Sequence, residues 1–168
     1  EKLDAMVFGT SKEVFGNWNM KIEDGRFLED ADVKGSKSVI VLGGKAAEEL
    51  FPNEEPIGKR VTLGPRKFTV VGVLEKLGTP LAEQFDEFTY VPYTVAKAMQ
   101  GRVTYVDYVS FQHAGDVDLT QADVETVLRQ RHGIRNPEND PDKDDFILRS
   151  FAQATEVISQ ITLGLTIF

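Results

Sequence analysis

The chain has 168 residues, a length that holds one domain or two small ones, and 41% of them are hydrophobic, as in an ordinary folded protein. Its 27 acidic and 19 basic residues give a formal net charge of −8 at pH 7. This balance disfavours nucleic acid and anionic lipid as partners, because both are bound by clustered Lys and Arg. The absence of cysteine excludes disulfides, thiol catalysis and cysteine-based metal sites.

The N-terminal segment predicts a strand followed by a short helix. Weak alternation over residues 3–9 favours the strand, and residues 12–18 favour the helix, with Ser11 as its cap. Phe15 and Trp18 stand three positions apart in that helix and therefore share one face. We expect both aromatic side chains to lie in the core rather than to form a platform for a ligand.

An acidic cluster and a buried strand come next. Glu29, Asp30 and Asp32 lack the ligand spacing of a metal site and any neighbouring histidine, so we interpret them as a solvated turn. Residues 38–42 are a short apolar run, which is typical of a strand buried on both faces.

Residues 43–76 combine a short helix, a turn, a hairpin and an apolar strand, and they include almost nothing that could carry out chemistry. Residues 44–50 are good helix formers, and Pro52 stops that helix. Pro56 and Gly58 then bracket a turn. The predicted strands are residues 61–63 and 68–74, joined by a hairpin connection at 64–67.

The strand predicted over residues 68–74 is apolar on both faces, which indicates a central position in the sheet. Simple alternation places Phe68, Val70 and Leu74 on one face, and it places Thr69, Val71 and Val73 on the other. Gly72 lies within this strand, where the missing side chain allows another backbone to approach closely.

Two glycine–lysine pairs resemble the end of a phosphate-binding loop but do not meet its requirements. That loop needs a glycine five positions before the second glycine and a Ser or Thr after the lysine, whereas Asn53 and Arg60 occupy those positions around Lys59. Lys45 follows two glycines but lacks the upstream glycine, because position 39 is Val39. We interpret these residues as turn glycines and solvated lysines.

The following part of the chain predicts alternating loops, strands and one helix. Residues 78–86 read as a loop, and residues 103–111 alternate as a strand in which Tyr105 and Tyr108 face opposite ways. Between them we predict a strand at 87–92 and a helix at 94–100 that Gly101 closes.

The clearest helix signals lie at residues 122–132. Thr120 fits the cap, and Leu119 with Val124 fits a hydrophobic staple. Gly133 marks the end of the helix. The predicted buried face comprises Val124, Val127, Leu128 and the stem of Arg131, and the positive residues that complement the helix dipole are Arg129, Arg131 and His132.

Neither the histidines nor the acidic loop predict a catalytic or metal site. His113 and His132 are isolated from each other in sequence and form no triad or ligand pattern. Asp140, Asp142 and Asp144 imitate the start of a calcium loop, but Asp145 replaces the required glycine and Phe151 the closing glutamate. We therefore expect residues 136–145 to form a flexible surface loop.

The C-terminal part predicts a strand at 146–148 and a final helix. Ser150 and Gln153 fit a capping box at the start of that helix. Its apolar residues form a narrow seam at alternating spacings of three and four, comprising Phe151, Ala154, Ile158, Ile161, Leu165 and Phe168. This apolar end is typical of the threshold of a transmembrane helix and equally of an ordinary amphipathic helix.

The order of these motifs resembles the extracytoplasmic core domain of ABC-transporter permeases of the MacB-like and FtsX-related type. The resemblance covers nearly the whole chain. It rests on five motifs in the same order as in the family. Two lie in the first part of the chain: Gly25, Arg26 and Phe27 with the acidic cluster, and the strand at 38–42 followed by Ala46, Ala47, Leu50, Phe51, Pro56, Ile57, Gly58 and Lys59. The other three are the strand at 68–74, residues 90–93 and residues 129–133.

The resemblance implies an α+β fold, with a β-α-β (ferredoxin-like) subdomain into which a second, mostly β subdomain is inserted. Residues 1–168 would form a single extracytoplasmic module, with the insertion at about 25–111 and a return to the β-α-β subdomain at 112–150. Residues 151–168 would be a helix leading into a truncated transmembrane span, and the chain would begin after the first strands of the β-α-β subdomain.

The resemblance also implies partners and a cellular location. The partners would be the subunit's own transmembrane helices, a cytoplasmic ATPase domain, a second subunit in a homodimer and a periplasmic adaptor protein. The module would lie on the periplasmic side of the inner membrane. We predict no catalytic, cofactor-binding or metal-binding residue in the chain, and no cofactor.

Three functions follow as alternatives. The first is the extracytoplasmic domain of an export permease, which couples ATP-driven movement to substrate expulsion. The second is the domain of an FtsX-like permease that activates a cell-wall hydrolase, or of a permease that releases lipoproteins. The third is an unrelated soluble α+β enzyme, which is disfavoured because no His-, Cys- or Ser-centred constellation is evident in the sequence.

Overall fold

A mixed six-stranded sheet organises the N-terminal part of the chain in the computed structural model, which describes residues 6–77, 83–101, 104–150 and 153. The chain divides into two units, residues 1–111 and residues 112–168. The described strands all belong to the first unit, and they are β1 (Val7–Thr10), β2 (Ile22–Gly25), β3 (Val39–Leu42), β4 (Arg60–Leu63), β5 (Arg66–Leu74) and β6 (Thr89–Pro92). The mixed sheet with helices on it confirms the predicted α+β class.

Strand β5 is the central strand of the sheet, as its apolar sequence predicts. The strand order is β1-β6-β3-β5-β2, and β4 forms the predicted hairpin with β5. Strand β5 runs parallel to β3 and antiparallel to β2, while β1 pairs with β6 in parallel. The strands predicted at residues 38–42, 61–63, 68–74 and 87–92 are confirmed to within two residues.

A bulge in β5 changes the faces that simple alternation predicts. Val70 pairs with Ile40, but the next pair joins Gly72 to Val41, so Val71 is an extra residue opposite β3. An extra residue reverses the direction of every side chain that follows it. Val73 therefore packs with Phe68 and Val70, and Leu74 lies in the opposite cluster. The predicted faces are correct as far as Val71, which packs against the opposite cluster, and wrong for Val73 and Leu74.

Each face of the sheet carries its own apolar cluster. One comprises Ile40, Leu42, Ala47, Phe68, Val70, Val73, Val91 and Val95, and it is covered by α3 (Gly44–Leu50) and α5 (Tyr93–Gln100). The other comprises Val14, Phe15, Met20, Leu28, Val41, Leu74 and Tyr90, and it is covered in part by α1 (Glu13–Asn17). Helices α1, α3 and α5 confirm the three short helices predicted in this unit.

Several local predictions in the first unit are wrong. Helix α1 begins after Lys12 and has no side-chain cap, so Ser11 does not cap it. Trp18 is partly exposed and packs edge-on against Phe8 and Phe85. Helix α1 ends at Asn17, so Trp18 lies just outside it. Of the predicted pair Phe15 and Trp18, Phe15 is the residue that is buried in the core. Residues 83–86 of the predicted loop form one helical turn, α4 (Glu83–Asp86). Residues 3–5 and 78–82 lie outside the described residues.

The strand predicted at 103–111 is also wrong over the part that the structure describes. Residues 104–111 are irregular and exposed, and no strand of the described sheet pairs with them. Alternation alone cannot form a strand without a neighbour that accepts its hydrogen bonds. Residues 102 and 103 are not described.

The second unit is built around helix α6 (Val117–His132), which begins five residues before the predicted start. Asp116, and not Thr120, caps the helix by accepting hydrogen bonds from the main-chain N–H groups of Asp118 and Leu119. Leu119 is exposed, so it does not form the predicted staple, and none of the residues of α6 is fully buried. The predicted end is confirmed, because Gly133 closes the helix with φ of +69°.

Residues 134–150, which follow α6, are irregular except for a short 3₁₀ turn at Pro141–Lys143. The strand predicted at 146–148 is wrong, since these residues pair with no strand of the described chain. The predicted capping box is confirmed, because Ser150 N donates to Gln153 Oε1 at 2.9 Å and Gln153 N donates to Ser150 Oγ at 3.2 Å. The apolar seam of the final helix lies outside the described residues.

Replacing Gly72 by Ala should lower the free energy of unfolding by about 2–3 kcal/mol, because a Cβ at this position would lie 2.1 Å from the carbonyl oxygen of Arg26. Chemical denaturation measures the change. The matched control is Gly16→Ala in α1, where a Cβ meets nothing within 4 Å and Ala is the better helix former. Equal stabilities of the two variants would contradict the close approach.

Candidate functional site

The acidic cluster of the first unit surrounds a buried carboxylate and is not the solvated turn that the sequence predicts. Asp32 lies in α2 (Asp30–Lys34) and is 0% exposed. Its Oδ2 accepts a hydrogen bond from Arg26 Nη1 at 2.7 Å, and its Oδ1 lies 3.1 Å from Lys37 Nζ. Its Oδ2 also accepts from the main-chain N–H of Glu29 at 3.0 Å, which completes a capping box at the start of α2.

These contacts stabilise the ionised form of Asp32. Burial alone raises the pKa of the Asp32 carboxyl, but hydrogen bonds from Arg26, the Glu29 amide and Lys37 outweigh it, so the pKa lies below its ordinary value. The Arg26 pKa is raised, chiefly by its hydrogen bond to Asp32. Both oxygens of the Asp32 carboxylate are occupied by donors of the protein itself. Asp32 therefore belongs to a structural ion pair rather than to a site for a ligand or a substrate.

Asp30, the third member of the cluster, faces solvent and pairs with Lys12 at 2.7 Å. The hydrogen bond from Lys12 lowers the pKa of Asp30. Within residues 6–77, 83–101 and 104–150, no group of three or more His, Asp or Glu side chains is placed to hold a metal ion.

The glycine–lysine pairs occupy turns and helix starts, as predicted. Gly58 has φ of +78°, and Lys59 N donates to Pro56 O at 3.0 Å to close the turn. The Lys59 ammonium pairs with Glu54 at 2.7 Å, and Lys45 pairs with Glu87 at 2.7 Å. These lysines are engaged in ion pairs on the surface rather than directed at a common phosphate position.

The buried Tyr90 hydroxyl is the one polar side-chain atom of the described chain that is fully buried without a hydrogen-bond partner. Its ring packs against Phe8 and Phe15 in the second apolar cluster. Burial, followed by the nearby charge of Asp86, raises its pKa. Tyr90 therefore stays protonated and acts as an apolar core residue.

The two histidines have separate structural contacts. His113 Nδ1 lies 2.9 Å from the carbonyl oxygen of Gly115. His132 Nδ1 lies 2.7 Å from Asp145 Oδ1, and its ring packs edge-on against Phe146. Among the described residues, no hydrogen bond links one histidine to the other.

The acidic loop of the second unit is fastened by one arginine. Arg129 donates from Nε and Nη2 to the Asp144 carboxylate, with its shortest contact at 2.7 Å, and from Nη1 to Asn139 Oδ1 at 2.7 Å. The buried amide of Asn136 also donates to Asp144 and to Asp140 O. The hydrogen bond from Arg129 is the main cause of the lowered pKa of Asp144. The loop is thus held by specific bonds, which its polar composition alone did not reveal.

Residues 104–111, here called the 104–111 segment, include five exposed large hydrophobic residues: Tyr105, Val106, Tyr108, Val109 and Phe111. Tyr105, Tyr108 and Val109 are 67%, 86% and 76% exposed. No backbone–backbone hydrogen bond joins the segment to another described part of the chain. Asn17 holds the segment, because its Nδ2 donates to the main-chain and side-chain oxygens of Ser110 at 3.1 and 3.0 Å. The alternation of this stretch predicted a strand, but the described residues 104–111 are irregular.

No helix of the described ranges combines the length and the apolar character that a membrane crossing requires. The predicted transmembrane threshold at 151–168 falls on residues that are not described, apart from Gln153.

Comparison with known proteins gives a family for this architecture. The sequence profile of the MacB-like periplasmic core domain matches residues 1–127. The chain is 32% identical over 147 residues to the macrolide export ATP-binding/permease protein MacB of Rhodospirillum rubrum, covering 85% of this chain and 21% of that protein. The MacB protein of an Azoarcus species is 31% identical over 155 residues, covering 89% and 22%. The chain thus spans about a fifth of the length of these curated relatives.

Two solved structures share the fold. The periplasmic region of MacB from Actinobacillus actinomycetemcomitans has a TM-score of 0.62 and 24% identity, covering 76% of this chain and 56% of that one. The extracellular domain of the noncanonic ABC-type transporter YknZ from Gram-positive bacteria has a TM-score of 0.62 and 25% identity, covering 79% and 70%.

Replacing Asp32 by Asn should lower the free energy of unfolding at neutral pH by about 2 kcal/mol, because two cations lose their shared carboxylate. The loss is below that of a fully buried pair, since the side chains of Arg26 and Lys37 are 38% and 51% exposed. Chemical denaturation measures it. Because the Asp32 pKa is lowered on folding, its contribution is present above the unfolded pKa and is lost as the pH falls through the folded pKa.

The control for this prediction is Asp30→Asn, which removes an exposed carboxylate from the same cluster and should leave stability at neutral pH unchanged. A loss for Asp30→Asn as large as that for Asp32→Asn would contradict the assignment of Asp32 as the buried centre.

Replacing Arg129 by Ala should release the loop at residues 136–145, since both Asp144 and Asn139 lose their common donor. Hydrogen exchange should become faster at the Asp140 amide, which donates to Asn136 Oδ1 at 3.0 Å, while amides of β5 stay unchanged. Arg131→Ala, two positions further along the same helix, is the matched control. Unchanged exchange in Arg129→Ala would show that the loop holds its shape without the arginine.

Proposed function

Because the chain belongs to the family of MacB-like periplasmic core domains, we propose that it couples ATP-driven movement of an ABC permease to substrate expulsion on the outer side of the membrane. The family match over residues 1–127 is the observation that carries this proposal. The relatives named above are ATP-binding/permease proteins for macrolide export, and this chain corresponds to their periplasmic portion. The chain is therefore an extracytoplasmic domain of an inner-membrane permease of the MacB type.

In this proposal the domain has no catalytic role of its own. ATP hydrolysis takes place in a separate cytoplasmic domain, and the side chains of the described units serve structural contacts: Asp32 binds Arg26 and Lys37, and Asp144 binds Arg129. The intact subunit works as a homodimer, and a periplasmic adaptor protein contacts the domain. A stiff module suits such a role, because movement at one end must reach the other without being absorbed.

The final helix is the proposed coupling element of the intact subunit. The capping box of Ser150 and Gln153 supports a helix start at this point, and the apolar seam predicted from the sequence follows it toward residue 168. Residues 25–111 would form the inserted subdomain and residues 112–150 the return to the β-α-β subdomain.

In the intact, reconstituted subunit, Ile158→Asp or Ile161→Asp should abolish transport while ATP hydrolysis continues, because a charge in the seam breaks the packing that transmits movement. Transport and ATP hydrolysis are measured on the same vesicles. Ser159→Asp is the matched control, since it introduces the same charge outside the seam. Unchanged transport in both isoleucine variants would reject the coupling role of the helix.

Affinity capture with the intact subunit tests the adaptor contact against the regulatory alternative. The proposal expects an adaptor protein to be recovered and no cell-wall hydrolase. Recovery of a hydrolase whose activity the subunit raises would replace export by hydrolase regulation, and recovery of lipoproteins would favour lipoprotein release.

A further inference from the structure

Residues 134–150, here called the strap, join helix α6 to the start of the final helix. The middle of the strap is fastened to the last turn of α6 by two contacts. Arg129 Nη2 donates to Asp144 Oδ2 at 2.7 Å, and His132 Nδ1 lies 2.7 Å from Asp145 Oδ1.

The end of the strap meets the other half of the same helix. Gln121 Nε2 donates to Gln153 Oε1 at 3.2 Å, and the same oxygen accepts from Ser150 N at 2.9 Å. Helix α6 thus supplies a donor to the capping box of the final helix. Gln121 precedes Arg129 by eight positions, which places it about 12 Å closer to the start of α6. The strap therefore runs back along α6, and the final helix begins beside the second turn of α6.

The exposure of side chains along the strap supports this course. Every second residue from 144 to 150 is half-buried, and the residues between them are exposed. This alternation is the pattern of a segment that turns one side to a surface. The half-buried residues of α6 include four at the spacings of three and four that share one helix face, namely Val117, Gln121, Val124 and Leu128. Strap and helix each have one covered side, as packed neighbours do.

Arg129 binds two separate points of the strap. Its Nη1 donates to Asn139 Oδ1 and its Nη2 to Asp144 Oδ2, each at 2.7 Å. The planar guanidinium offers these donors in a fixed fork, so one side chain holds both points at a defined spacing. Glu125, one turn earlier on α6, lies 3.6 Å from Nη2 and helps to orient the fork.

We propose that the strap makes α6 and the start of the final helix one mechanical piece, with Arg129 and Gln121 as its positioning residues. This role rests on the proposed function, in which the final helix is the coupling element of the intact subunit. A loose linker between the two helices would absorb a displacement, whereas the fastened strap transmits it to α6. Both residues act through the position that they give to Gln153.

Spin labels measure the fastening in the chain itself. Ala122→Cys and Arg149→Cys place one label on α6 and one on the strap, at exposed positions of a chain that has no cysteine of its own. Pulsed electron paramagnetic resonance should give a single narrow distribution of distances between the two labels. A broad distribution would overturn the proposal, because it would show a strap that is not fastened.

Alanine variants of the doubly labelled chain locate the fastening. Arg129→Ala and Gln121→Ala should each broaden the distribution, while the circular dichroism spectrum stays unchanged because Asp116 still caps α6. The matched controls are Arg131→Ala and Gln130→Ala, which alter exposed residues of the same types in the same helix. Broadening in the controls equal to that in the two variants would contradict the assignment, and so would its absence from both variants.

The functional part is measured in the intact, reconstituted subunit in a form without other cysteines. With Ala122→Cys alone, each subunit of the homodimer carries one label on α6. ATP should shift the distance between the two labels. Arg129→Ala should abolish this shift while ATP hydrolysis continues, and Arg131→Ala should retain it. A shift in Arg129→Ala equal to that of the unaltered subunit would overturn the mechanical role of the strap.

The strap and the proposed function would fail in different ways. A broad distribution in the chain, together with a normal ATP-driven shift in the subunit, would contradict the strap and leave the proposed function intact. A narrow distribution without any shift in the unaltered subunit would contradict the proposed function. The strap would then be a structural contact alone, and its mechanical role would be rejected with the function on which it rests.

Discussion

The contacts of Asp32 connect three consecutive parts of the first unit. Arg26, directly after β2, donates its side chain to Asp32 and its main-chain N–H to Val71 O in the central strand. Lys37, two residues before β3, donates its main-chain N–H to Asp32 O, and its ammonium lies 3.1 Å from the Asp32 carboxylate. One buried side chain therefore links the residues that follow β2, helix α2 and the residues that precede β3, and the Arg26 backbone that approaches Gly72 belongs to the same set of contacts.

The elements predicted correctly from the sequence are those whose formation depends on residues close together in the chain. Residues 44–50 are helix formers that end at Pro52, and the hairpin before β5 needs only its turn residues and its flanking strands. The misassigned features depend on residues distant in sequence. The burial of Asp32 requires cations at Arg26 and Lys37, and the bulge at Val71 becomes visible only against β3.

The start of α6 shows a different reason for an incorrect prediction. Asp116 and Thr120 are both possible N-caps of this helix. The apolar pair Leu119 and Val124 favours Thr120, because it fits a hydrophobic staple around that cap. Asp116 is the N-cap in the structure, because its carboxylate accepts hydrogen bonds from two main-chain N–H groups. The Thr120 hydroxyl lies inside the helix and donates to Asp116 O. The strand predicted at 103–111 is wrong over the described residues 104–111, because alternation in sequence does not supply the neighbouring strand that a strand needs.

The bulge at Val71 also determines how related sequences should be compared with this one. Because it inserts a single residue opposite β3, deleting it would exchange the inward and outward positions of everything up to Leu74. A relative that lacks this residue must carry the reversed apolar pattern after the gap in order to keep the same two clusters. Alignments in this region are therefore best anchored on Gly72, whose close contact with the Arg26 carbonyl oxygen disfavours any side chain, rather than on the apolar positions beside it.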